Sequence, residues 1–241
     1  MLSFMHNIYW KSILPEGDIM KVLIVHAHPE PQSFSGSLFT TAVETLRATG
    51  NTVQVSDLYS MKFDPISDRR NFTSEKDPQY FKQQIEEMYA SETGGFSPDL
   101  LTEMEKVEWC DLMIWQFPLW WFSVPAILKG WYDRVFAMGR FYGKSHIYET
   151  GVMKGKKALL SLTTGGACEH YTADGFNGDI HGILRPIQRG MLEFTGFSVL
   201  APQVFYSPAH KSQDERVTEM ASYCNRLKQI DSENPVTVGR Y

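Results

Sequence analysis

KVLIVHAHPEPQSFSGSLFTTAVETLRATGNTVQV, residues 21–55, decides the fold. Lys21–His26 is a short continuous apolar run. Such a run suits a strand buried on both faces, as in a parallel sheet. Pro29 and Pro31 exclude helix from the loop His28–Ser35. A helical pattern then runs from Ser37 to Thr49, with Leu38, Ala42, Val43 and Leu46 on one face and Gly50 as terminator. Thr52–Val55 is β-branched and alternating, a second strand. The opening is therefore βαβ, the unit of doubly wound sheets.

The rest of the chain repeats the alternation. Residues 57–79 are irregular, Lys82–Ala90 reads as a helix, and Ser97 caps another that ends near Glu108. Asp111–Gln116 is a third strand and Pro125–Phe136 an amphipathic helix. Lys157–Leu162 is a fourth strand. Asp179–Phe194 is helical, with Pro186 starting or kinking a segment. Ser198–Phe205 is a fifth strand, interrupted by Pro202 and so placed at an edge. Ser212–Ile230 closes the chain as a helix. The expected architecture is α/β and flavodoxin-like: a five-stranded parallel sheet of order 2-1-3-4-5 with helices on both faces. Residues 1–20 read as an N-terminal extension, 21–231 as one domain and 232–241 as a loose tail.

Composition bounds the class. The 241 residues are 43% hydrophobic and 21% charged, ample for a substantial core. A net charge of −5 argues against a nucleic-acid surface. Cys110, Cys168 and Cys224 are scattered, with neither metal spacing nor a CxxC pair, so no metal is expected and a reducing cytoplasm fits. No apolar run reaches membrane-span length.

In doubly wound sheets, ligands bind outside the carboxyl ends of the strands, near the switch point. Three loops lie there. The first, His28 to Ser37, joins a strand to a helix N-terminus, where free amides and the helix dipole favour an anion. Ser33, Ser35, Ser37 and His28 add donors, although a helix cap with solvent-facing serines accounts for the same residues. It holds neither GxGxxG nor a Walker lysine. The second is Phe117-Pro118-Leu119-Trp120-Trp121-Phe122-Ser123-Val124-Pro125. Prolines stiffen this turn, and its rings cannot all enter the core. A rigid loop with aromatic faces and free backbone groups suits an isoalloxazine, which the protein places and tunes while the flavin does the redox chemistry. The third is Thr163-Thr164-Gly165-Gly166-Ala167-Cys168-Glu169-His170-Tyr171. Its glycine pair permits close backbone approach to a ligand. Tyr171 and His170 are polar groups for a reactive centre, or ordinary loop residues.

The segments KVLIVHAHPEPQSF, QFPLWWFSVPAILKGWYDRVF, LSLTTGGACEHYTADGFNGD, ILRPIQRGMLEFTGF and VLAPQVFYS resemble the NAD(P)H:quinone reductase (DT-diaphorase) family. The resemblance covers about residues 21–230. It implies bound FAD, with FMN used by smaller bacterial relatives, and a homodimer with the active site between chains. It also implies two-electron, ping-pong hydride transfer from NAD(P)H through the flavin to quinones. Carried over by residue, flavin contacts fall on His28, Ser33, Phe34, Ser35, Pro118, Leu119, Trp120, Trp121, Phe122, Thr163, Thr164, Gly165, Gly166, Tyr171 and Arg216. Ser35 stands where the family often has asparagine, and Arg216 matches an arginine reaching the distal part of FAD. Tyr171 and Asn177 take the catalytic positions. Tyr142, Lys144, Phe194 and His170 fall in the substrate pocket, with Tyr142 and Phe194 supplied by the partner chain. Asn177 replaces a family histidine. Histidine ionises near neutral pH and asparagine does not, whereas a tyrosine of pKa about 10 stays a neutral donor. So either the charge relay is weaker or the hydride donor differs, as in the nicotinamide-riboside-dependent branch, whose metal ligands have no match here. Lys144 replaces a second pocket tyrosine, which favours an acidic substrate or the donor's phosphates. Two further readings come from other classes: an ancillary subunit of a glutathione-gated potassium-efflux system, and an electron carrier like flavodoxin.

Overall fold

The structure, a computed structural model, describes residues 19–240. The expected extension 1–20 lies almost wholly outside the described residues. Strands β1 (Lys21–His26), β2 (Thr52–Asp57), β3 (Leu112–Pro118), β4 (Lys157–Thr164), β5 (Ser198–Val199) and β6 (Gln203–Tyr206) form one parallel sheet in the order β2-β1-β3-β4-β5. Strand β6 also pairs with β4. The expected order is thus observed. The single fifth strand is replaced by two short segments on the same edge, because Pro202 has no N–H to offer the ladder.

Side-chain alternation sends the strands' two faces into separate cores. Leu23, Val25, Met113, Trp115, Phe117, Leu160 and Leu162 pack beneath α3 (Pro98–Trp109), α4 (Ala126–Val135) and α5 (Ile180–Ile187). Val22, Ile24, Leu112, Ile114 and Leu159 pack beneath α1 (Phe34–Ala48) and α6 (Gln213–Leu227). Helix α2 (Gln83–Thr93) lies between the irregular segment after β2 and α3. Among the described residues, no helix is long and apolar enough to cross a membrane.

Three departures from expectation have local causes. Helix α1 starts at Phe34 rather than Ser37, because the Ser33 hydroxyl accepts the Gly36 N–H at 3.0 Å and caps it there. The long helix 179–194 is α-helical only to Ile187 and passes into a π-helical turn at Gln188–Glu193, just after Pro186 removes a helical donor. The C-terminal segment, expected to be loose, is held. The Val236 N–H donates to Val199 O at 2.9 Å, Lys157 Nζ reaches the carbonyls of Asp231 and Glu233 at 2.8 Å each, and Val238 packs on the core.

Candidate functional site

The carboxyl ends of β1, β3 and β4 gather the three loops at one rim of the sheet. The first follows β1. At the start of α1 the first-turn amides, including those of Phe34 and Ser35, lie ahead of any intrahelical acceptor and so face outward as donors. A Cβ on Gly36 would lie 2.2 Å from Pro31 O, so glycine is what lets the loop fold back over the helix start. Ser35 is buried, and its Oγ accepts the Gln116 side-chain amide at 3.2 Å from the end of β3. His28 Nδ1 accepts the Glu30 N–H at 3.0 Å, which fixes the loop's first turn. Phe34 is seated edge-on against Phe205 at 5.7 Å.

The second loop has the most unusual backbone. Trp120 and Ser123 exchange both backbone hydrogen bonds, each 3.0 Å, around Trp121 and Phe122. These two residues have φ of 51° and 58°. A tight turn with both central residues left-handed is normally built from Asn or Gly. Bulky residues there cost on the order of 1–3 kcal/mol each. Core burial does not offset this: Trp121 is 95% exposed and Phe122 51%. A strained turn that holds two large rings exposed marks a place where a ligand or a partner is received. Leu119 fixes the loop to the third one through its N–H on Thr163 O at 2.8 Å.

The third loop supplies the polar edge. Thr164 Oγ1 donates to Gly166 O at 2.7 Å and draws the backbone into a tight bend. A Cβ on Gly166 would meet Tyr171 Cε2 at 3.1 Å, His170 Nδ1 at 3.3 Å and Asn177 Nδ2 at 3.5 Å. The structure therefore brings Tyr171, His170 and Asn177 around one side-chain-free backbone position, while nothing stands within 4 Å of a Cβ on Gly165. The Asn177 N–H donates to His170 O at 2.8 Å, tying the loop 172–178 to this cluster. Tyr171 packs against Tyr206 at 5.7 Å. Burial, followed by the neighbouring Cys168, raises the Tyr206 phenol to about 12, so it stays neutral.

Two concavities continue outward from these loops. One, of about 270 Å³, is lined by His28, Ser33, Phe34, Ser35, Thr163, Pro208, Ala209 and Arg216. The other, of about 320 Å³, is lined by Gln32, Phe34, Ser37, Gln213, Arg216, Val217 and Met220. They share Phe34 and Arg216, so a path runs from the α1 N-terminus to α6. The donor set is that of a phosphate-bearing ligand: helix-terminus amides, serine hydroxyls and one guanidinium. Together with the flat aromatic turn and the open glycine backbone, these residues fit a flavin nucleotide. Pro118 closes β3 beside Thr163.

Tyr142 and Phe194 stand elsewhere. Their rings lie 5.6 Å apart and line a cavity of about 510 Å³ with Ser67, Gln83, Gln84, Glu87, Tyr132, Asp133, Phe136 and Gly190. None of the three loops lines it. Lys144 is exposed and is not part of its lining, and His170 belongs to the Gly166 cluster instead. The sequence reading missed Gln32, Pro208, Ala209, Gln213 and Met220 in the outer groove and the whole floor of the Tyr142 cavity. The loop after β6 was open to detection, since it too follows a strand's carboxyl end. Gln83, Gln84 and Glu87 carry no such signal.

A family model of the flavodoxin-like fold matches residues 20–228. The mouse ribosyldihydronicotinamide dehydrogenase [quinone] is 50% identical over 217 residues, covering 90% of this chain and 94% of that one. The guinea-pig (Cavia porcellus) NAD(P)H dehydrogenase [quinone] 1 is 46% identical over 219 residues, covering 90% and 80%. A crystal structure from Klebsiella pneumoniae, of a protein assigned as a quinone reductase, superposes with a TM-score of 0.86 at 40% identity, covering 90% and 87%.

Proposed function

The chain belongs to the flavodoxin-like fold family and, within it, to the NAD(P)H:quinone reductases, and from that premise we propose that it reduces quinones by two electrons with FAD and a dihydronicotinamide donor. The observation that carries this reading is the exposed left-handed pair Trp121–Phe122, on a loop bonded through Leu119 to the loop that holds the open Gly165 backbone. A flat ring needs apolar surface and unobstructed backbone, and these two loops carry one of each. FAD is favoured over FMN by the second concavity: beyond the phosphate donors the groove continues to Arg216, Gln213 and Met220, which leaves a place for a second nucleotide half.

When bound, the flavin supplies hydride chemistry. The chain's residues position and stabilise it. The amides of Phe34 and Ser35, with His28 and Ser33, bind phosphate; Pro118, Leu119, Trp120, Trp121 and Phe122 seat the ring. Thr163, Thr164, Gly165 and Gly166 give it backbone contacts. Tyr171 and Asn177 stand at the Gly166 edge as hydrogen-bonding groups. Neither side chain can become cationic, so an amide fills the position that holds a histidine elsewhere in the family, and the imidazole beside it is that of His170. That chemistry, with the 50% identical mouse relative named for ribosyldihydronicotinamide, favours a truncated dihydronicotinamide over full-length NAD(P)H. Donor and acceptor use the pocket in turn, in ping-pong fashion.

The separation of the two lined regions supports a homodimer as part of this reading. The rings of Tyr142 and Phe194 line a cavity apart from the chain's own loops, and a second copy can bring them over the exposed Trp121 and over Phe176, which is 92% exposed. The test is direct. The purified chain is expected to be yellow, to elute as a dimer and to reduce menadione, faster with dihydronicotinamide riboside than with NADH or NADPH. A colourless protein that cannot be reconstituted with FAD or FMN would sink the reading.

A further inference from the structure

We propose that Gln116 is a positioning residue, which holds the Ser35 hydroxyl with its hydrogen turned toward the phosphate of the bound flavin nucleotide; this rests on the flavin reading above. Gln116 is the one polar side chain in the strand Leu112–Pro118, and it is only 1% exposed. Strand alternation puts it on the face of Leu112 and Ile114, beneath α1. Its partners in register on the neighbouring strands are His26 and Ser161, both buried as well. Three polar side chains therefore form a row across a face that is otherwise apolar, with Val22, Ile24, Leu112, Ile114 and Leu159 below it. The row is poorly satisfied. Gln116 Oε1, both ring nitrogens of His26 and Ser161 Oγ have no hydrogen-bond partner among the described residues. Orphaned buried groups cost stability, and a leucine or methionine would avoid that cost at position 116.

What Gln116 does with its amide gives the reason. Its Nε2 donates to Ser35 Oγ at 3.2 Å, in the first turn of α1. That bond takes a lone pair of the hydroxyl oxygen and leaves the hydroxyl hydrogen free. Among the described residues Ser35 Oγ donates to nothing. Ser35 is itself buried, yet it lines the concavity of about 270 Å³ that also holds Ser33 and Arg216. An anion in that concavity is the acceptor its hydrogen lacks. The direction of the bond sets the sign of the contact. A carbonyl facing Ser35 would draw the hydrogen inward and present oxygen lone pairs to the phosphate. An amide N–H facing it does the reverse. A serine hydroxyl rotates freely, so a fixed buried donor behind it pre-organises the contact.

The test is a fluorescence titration of the full chain, stripped of flavin, with riboflavin, FMN and FAD. Gln116→Met keeps the side chain's length and removes its amide. It is expected to raise the Kd of FMN and FAD about tenfold, the scale of one hydrogen bond. Riboflavin, which has no phosphate, is expected to bind unchanged. Ser35→Ala is expected to give at least the same selective loss, and the double variant no more than Ser35→Ala alone, because Gln116 acts only through Ser35. Equal losses for riboflavin and FMN, losses that add in the double variant, or no loss at all would overturn the inference. If Gln116→Met does not fold, Ser35→Ala decides in its place, and unchanged FMN affinity refutes the contact. If the parent binds none of the three flavins, the flavin reading fails, and pyrophosphate then decides the positioning role. Protection of the parent against urea that Gln116→Met abolishes would support it, and equal protection of both, or none of the parent, would refute it.

Discussion

In the loop Phe117–Ser123 two large rings stand in solvent on a backbone held left-handed by its own paired amides. In the cavity around Tyr142 the rings are held by the side chains of a different element: Gln84 bonds the Tyr142 hydroxyl, Glu87 takes the Met138 N–H, and Ser91 Oγ donates to Met138 O at 3.2 Å. The first site is one contiguous stretch whose strain is local. The second is assembled from segments around residues 67, 83–87, 132–142 and 190–194. A contiguous, locally strained site tolerates changes in the rest of the fold. An assembled one depends on α2 keeping its register against the 138–142 turn.

The largest expected effect strikes the contiguous site. Gly166→Val puts a branched side chain into the position already bounded by Tyr171, His170 and Asn177. Flavin retention and quinone reduction are expected to fall by roughly a hundredfold or more, on the scale of a lost positioning contact, with far-ultraviolet circular dichroism unchanged. Normal flavin content in this variant would break the assignment of Gly166 to the seat.

Arg216→Ala comes next. Removing one charge-assisted phosphate contact is worth about 1.5–3 kcal/mol, so FAD affinity is expected to drop roughly tenfold to a hundredfold, read by fluorescence titration. FMN affinity should change much less if Arg216 serves the distal half. Equal losses for both would move Arg216 to the proximal phosphate.

Trp121→Ala sharpens the contrast between exposed and buried rings. It should weaken flavin binding by about 1 kcal/mol, in the range of an aromatic stacking contact, and leave apoprotein stability within about 0.5 kcal/mol, as for an exposed site. Trp115→Ala, in the core, should cost about 3–5 kcal/mol of stability instead. A Trp121 variant as unstable as the Trp115 one would show that the ring is structural.

The smallest effect lies beneath the first loop. His26 is buried and stacked on Phe39 at 4.5 Å. Burial lowers its pKa below 6.5, Asp57 opposes that shift, and His28 adds to it. With a depressed folded pKa, the unfolded chain binds more protons, so stability is full above about pH 6.5 and is lost as pH falls below it. Urea midpoints at pH 7.5 and pH 5.5, as working conditions of roughly one unit either side of that value, should differ in the parent and converge in His26→Phe. Parallel behaviour of the two proteins would assign the acid sensitivity elsewhere.

How much of this was legible in the sequence follows the same division. The strands at Lys21–His26 and in the third and fourth positions were legible because a strand buried on both faces is continuously apolar. Pro202 announced the broken edge, although not that both halves would pair with β4. Ser33 as the cap of α1 was hidden because Ser33, Ser35 and Ser37 all satisfy the same preference, and only the fold-back over Gly36 selects among them. The three loops were legible as runs of residues. That Gly166 is the point on which Tyr171, His170 and Asn177 converge was not, since it depends on the bend at Thr164. Gln83, Gln84 and Glu87 look like any polar helix face. Their role comes from tertiary packing of α2 beside Met138 and Tyr142, which no local pattern encodes.

One anaerobic titration tests the central claim most directly. The FAD-reconstituted chain is mixed with a dihydronicotinamide donor in the absence of oxygen, and a quinone is then added. The account predicts that the flavin's visible absorbance bleaches with about one equivalent of donor, as two-electron hydride chemistry requires, and returns with an equal amount of quinone. A chain that takes up no flavin, or whose flavin no dihydronicotinamide bleaches, would contradict it.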